Sequence, residues 1–92
     1  MKPEEMIHEE IYYVKANYPW TIRFESISGS DNERVNAYEA VDIKACRRVH
    51  NGSHIMSTNN IEEIRLPTEI ELMEFERLCG RPTNNYIPQI FN

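Results

Sequence analysis

The chain has 92 residues, of which 40% are hydrophobic and 27% charged, and a formal charge of −5 at neutral pH. That size supports one domain with a small core, and no apolar run approaches the roughly 20 residues of a membrane span. A membrane-spanning protein, a multidomain enzyme and a collagen-like or coiled-coil rod are thereby excluded.

The N-terminus, MKPEEMIHEE, is acidic and lacks a signal peptide's apolar centre, so a secreted precursor is not expected. Residues 1–9 read as an arm or a short helix over Pro3–Glu9, since Pro3 suits a first helical turn and the glutamates suit its dipole. Glu10 to Lys15 is rich in β-branched and aromatic residues and predicts a strand. Asn17-Tyr18-Pro19 predicts a turn. Trp20, Ile22 and Phe24 alternate with Thr21, Arg23 and Glu25, the period of a half-buried strand. Ile27 falls on the wrong parity, so a bulge or the strand's end is expected there.

Ser28 to Asn32 is a loop by composition, and Val35 to Ile43 a further strand. Asn51-Gly52 is the preferred pair of a type I′ turn, which predicts a tight hairpin with arms Cys46–His50 and Ser53–Ser57. Asn59-Asn60 predicts another turn, and Ile61–Leu66 a last strand with Ile64 and Leu66 on one face. Thr68 and Glu71 form a capping box, and Gly80 suits the left-handed stop, so a helix is expected over Glu69–Cys79. Its stripe is Leu72, Phe75, Leu78 and Cys79, with Ile70 and Met73 outside it. The tail 81–92 holds Tyr86, Ile87, Ile90 and Phe91, too apolar for a solvated end. It either folds back or docks onto another chain.

The pattern predicts one domain over 1–92: an arm (1–9), a β unit (10–66), a helix (68–79) and an apolar tail (81–92). The fold class is mainly β (α+β), a small curled antiparallel sheet of five strands. It closes as an SH3-like or OB-like barrel plugged by the helix, or stays an open sheet with the helix across one face.

The run Ile61-Glu62-Glu63-Ile64-Arg65-Leu66-Pro67-Thr68-Glu69-Ile70-Glu71, with Trp20-Thr21-Ile22-Arg23-Phe24 upstream, resembles a recurrent type of small phage and prophage protein. In that type a tryptophan-bearing hairpin precedes further strands, and a threonine-capped acidic helix closes the domain. The resemblance implies a mobile-element setting and a compact barrel, and carries over no catalytic residue.

Chemistry-bearing patterns are sparse. Cys46, His50 and His54 have a C-x3-H-x3-H spacing, but a hairpin at Asn51-Gly52 would place the histidines across it and no fourth ligand is evident, so no metal site is assigned. Cys46 and His50, four apart on a strand, lie about 13 Å from each other, too far for a nucleophile and its base. No cofactor motif is present, and an enzyme is not expected. Both cysteines read as reduced thiols in a cytoplasm.

Two binding readings remain. Lys44, Arg47 and Arg48, near aromatic residues such as Tyr12, Tyr13 and Trp20, are candidates for a nucleic-acid face. The net negative charge opposes it. The favoured reading is protein binding through the acidic helix, with Glu69, Ile70, Glu71, Met73, Glu74 and Glu76 as the partner-binding residues. The expected partner is a host protein or nucleoprotein complex, inhibited in the manner of an anti-CRISPR. A homo-oligomer formed through the tail is a third reading.

Overall fold

The computed structural model describes residues 1–42 and 46–79, giving for 46–53 the backbone alone. It contains a short 3-10 turn (Pro3–Glu5), then β1 (Ile11–Ala16), β2 (Tyr18–Ser28), β3 (Arg34–Val41) and β4 (Cys46–Ser57). A second 3-10 turn (Thr58–Asn60), β5 (Ile61–Arg65) and α1 (Glu69–Cys79) follow. The strands form one antiparallel sheet in the order β4-β3-β2-β1-β5.

This order forces the sheet to curl. β4 and β5 are opposite edges, four strand spacings or about 19 Å apart if the sheet were flat. Ser57 pairs beside the β2–β3 turn and Ile61 beside the β1–β2 turn, yet only three residues join them. Bulges supply the bend: Glu25 is the extra residue on β2 between Phe24↔Ala37 and Ser26↔Asn36, and Tyr38 the extra one on β3. The first of these also corrects the parity of Ile27, which packs against the core. The sheet stays open between β4 and β5 and does not close into a barrel.

Three local expectations change. The N-terminal helix is a single 3-10 turn, after which the arm docks: Met6 is buried in the core, and Glu9 and Phe24 bond through their backbones. The first turn is tighter than expected. Asn17 alone, at φ 66°, joins β1 to β2, with Tyr18 and Pro19 already paired. Finally, Asn51-Gly52 makes no hairpin. β4 runs through it, pairing with β3 on both sides; between Ala37↔Ser53 and Glu39↔Arg48, β3 advances two residues and β4 five. The extra residues are absorbed as a wide irregularity because β3 offers a pairing edge to both halves.

The larger core cluster lies on one face of the sheet, from Tyr12, Val14, Trp20, Ile22 and Phe24 to Met56 and Ile64. The opposite face carries α1, where Phe75 and Cys79 pack with Val41, Ile11 and Leu78.

Candidate interaction surface

α1 starts where the sequence places it. The Glu71 amide donates to Thr68 Oγ1 (3.1 Å) and Glu71 Oε1 accepts from the Thr68 amide (2.9 Å), a complete capping box. Glu71 is also gripped from the sheet, since Arg65 donates to both of its oxygens at 2.9 Å. The Arg65 guanidinium lies 3.7 Å from the Tyr13 ring centroid. These hydrogen bonds hold the Glu71 carboxyl below the usual carboxylate range and raise the Arg65 guanidinium above its own. Glu71 is therefore a structural clasp, already committed within the chain.

A second clasp lies under the helix. Arg23 and Glu39 face each other in the β2–β3 register, and Arg23 Nε donates to Glu39 Oε1 at 2.9 Å, with Glu39 fully buried. The Arg23 guanidinium carbon lies 5.7 Å from the Phe75 ring centroid. A buried pair of this kind fixes geometry more than it adds stability. Its sequence signal appears only once the register is known.

The outer face of α1 is different. Ile70 is 73% and Met73 67% exposed, as their position off the apolar stripe implies. At about 100° per residue, Ile70, Met73 and Arg77 fall within about 60° of one another, roughly opposite Phe75 and Cys79. Glu69 and Glu76 lie together on one side of them, next to Met73, and are exposed. Glu74 is exposed too, but Arg77 binds both of its oxygens (2.6 and 3.2 Å), which lowers its pKa. Of the six residues expected to meet a partner, four thus share an available face, while Glu71 and Glu74 are engaged by arginines. The sequence puts Leu66 on one face with Ile64, which is buried. Leu66 is 67% exposed because β5 ends at Arg65 and the chain turns toward the cap.

Concavities flank this helix. One of about 280 Å³ runs between α1 and the β1–β2 hairpin, and another of about 370 Å³ lies beside Leu66, Leu72 and Ile11. A larger one, about 770 Å³, is elsewhere, between the N-terminal arm and the β2–β3 loop.

Cys79 is buried as expected of the stripe, but it is in a disulfide, which overturns its reading as a reduced thiol. The chain's other cysteine, Cys46, opens β4 opposite Val41, the residue Cys79 packs against. With the hairpin gone, the argument that placed His50 and His54 across a turn also falls. His54 is exposed, and no group of three metal-ligating side chains occurs among the described residues. The side chains of Cys46, Arg47, Arg48 and His50, the residue Lys44 and the tail 81–92 lie outside the described residues. Among the described residues no helix is long and apolar enough to cross a membrane. Comparison with protein-family models, curated proteins and solved structures finds no match to this chain.

Proposed function

We propose that the protein is a non-enzymatic protein-binding module whose docking face is the outer side of α1, formed by Ile70 and Met73 with Glu69 and Glu76 along one edge. The observation that carries this reading is the pair of large apolar side chains exposed next to each other on a helix anchored by other residues. An apolar pair with an acidic edge complements a groove with an apolar floor and a basic border on one side. Negative charge also steers the approach to such a surface. The partner we infer is a basic host protein or nucleoprotein complex. Together with the resemblance to phage proteins, this makes the chain an inhibitor that occupies a site meant for phosphate backbone. A disulfide at Cys79 speaks against the reducing cytoplasm expected for the chain. The binding proposal does not depend on the compartment.

The test is capture from bacterial lysate with nuclease added, read by mass spectrometry, comparing the native chain with Ile70→Ser/Met73→Ser and Glu69→Lys/Glu76→Lys. A basic protein held by the native chain and lost by both variants is the expected result. Capture that neither variant changes removes this face from the reading. Material lost on nuclease treatment transfers the proposal to nucleic acid and to Lys44, Arg47 and Arg48.

A further inference from the structure

We infer that the cleft between the N-terminal arm and the β2–β3 turn binds a linear aliphatic amine that carries two ammonium groups. The cleft, about 770 Å³, falls in the range of small-molecule sites, roughly 300–1,000 Å³. Its floor is apolar: Met6 and Phe24 belong to the larger core cluster, and Ile27 packs against it. Both walls are tied down. The arm is held by Met6 in the core, by the backbone bond between Glu9 and Phe24, and by the Ile7 amide, which donates to the Tyr12 hydroxyl at 2.8 Å. On the other wall, the Thr58 amide donates to the Glu33 carbonyl (2.9 Å) and Thr58 Oγ1 to the Asn32 carbonyl (3.1 Å). A cleft formed in advance costs a ligand little ordering of the protein.

Charge selects the occupant. Glu4 stands on one wall and Asp31 on the other, both exposed. Neither has a hydrogen bond or ion pair among the described residues, and no cationic side chain lines the cleft. Elsewhere the acids are matched within the chain: Glu39 by Arg23, Glu71 by Arg65, Glu74 by Arg77. The turn that carries Asp31 holds a further uncompensated acid, since Glu33 Oε2 is buried without a donor. Two carboxylates on opposite walls, with an apolar floor between them, match two ammonium ends joined by methylenes. Each end brings a charge and three donors, and the methylenes cover the floor. A metal ion would leave that floor bare, and no group of three metal-ligating side chains occurs among the described residues. The cleft opens on the face of the larger cluster, opposite α1, so the inference does not rest on the docking face proposed above.

The test is calorimetric titration of the full chain at low salt with cadaverine, pentylamine and pentanol. Cadaverine is expected to bind at one site, pentylamine about fivefold more weakly, the upper worth of one exposed ion pair, and pentanol not at all. Glu4→Gln and Asp31→Asn should each remove most of the advantage of cadaverine over pentylamine. Both side chains are exposed and unpaired, so the melting temperature should not change. Glu69→Gln/Glu76→Gln, on the far side of the sheet, should leave the titration as it is. In carbon–proton spectra the Met6 and Ile27 methyl signals should move with cadaverine, and that of Met73 should not. Equal affinity for cadaverine and pentylamine would make the cleft a pocket for a single ammonium, such as a lysine of a partner protein. A loss in Glu69→Gln/Glu76→Gln as large as in Glu4→Gln would reduce the effect to net charge. Either result, or no binding of cadaverine, overturns the inference.

Discussion

The two faces of the sheet are held in different ways. One closes over a continuous apolar cluster to which the N-terminal arm and all five strands contribute, and many of its side chains are fully buried. The other holds α1 through Phe75 and Cys79, a buried ion pair at Arg23–Glu39 and an arginine clasp on Glu71. Apolar packing is non-directional and tolerates small shifts, whereas ion pairs and caps act only at set geometries. The first face makes the sheet cooperative. The second fixes where the helix sits, and so where Ile70 and Met73 point.

Substitutions that separate the faces follow from this contrast. The largest effect is expected at Glu39, where alanine leaves the Arg23 charge largely buried without its partner, costing about 3–5 kcal/mol in denaturant unfolding. Replacing both residues by methionine should recover part of that loss, because the desolvation cost of these two charges disappears while the further contact of Glu39 is given up. If the double variant is as weak as Glu39→Ala, the pair contributes something beyond compensating for its own burial.

Next come Ile22→Ala and Phe75→Ala, expected to cost about 2–5 and 3–5 kcal/mol where the whole packing loss is felt. Their patterns should differ. Ile22 is fully buried in the large cluster, so its loss lowers protection of amides across all five strands. Phe75 is a main attachment of a short helix, so its loss should release α1 and leave the sheet amides protected. Uniform loss in both variants would mean that helix and sheet unfold as one unit.

How far each face was legible in the sequence follows the same division. The helix was readable to its first and last residue because Thr68, Glu71 and the apolar spacing act within three or four positions. The alternation of β2 was readable for the same reason. Asn51-Gly52 misled because a local turn preference was weighed without the competing edge of β3, which is remote in sequence. Arg23–Glu39 was invisible because it depends on a register across 16 positions. Glu71 was partly legible: its place in the capping box was plain, while its clasp to Arg65 depends on where β5 ends.

Glu71→Ala tests that clasp and should cost about 1–2 kcal/mol, the value of a cap with a partly exposed ion pair. Acid should mimic it. The folded-state pKa of Glu71 lies below its unfolded value, so its contribution is fully present above the unfolded pKa and is lost as pH falls through the folded one. Stability should therefore decline on acidification below about pH 4.5. In Glu71→Ala that decline should be shallower, and a variant with an unchanged acid limb would show that other carboxylates dominate it.

The smallest effects are expected on the outer helix face, and they separate its two apolar residues. Met73 lies away from the concavity between α1 and the β1–β2 hairpin, so Met73→Ser should change stability by no more than about 0.5 kcal/mol. Ile70 lines that concavity from the same helix. At 73% exposure it keeps few methylenes covered, worth about 0.8 kcal/mol each, so Ile70→Ser should lower the melting temperature by only a few degrees, at about 4–8 °C per kcal/mol for a domain this size. A larger loss in Ile70→Ser than in Met73→Ser places its cost in the contacts of α1 with the sheet, whereas equal, small effects leave both residues as parts of one solvent-facing surface.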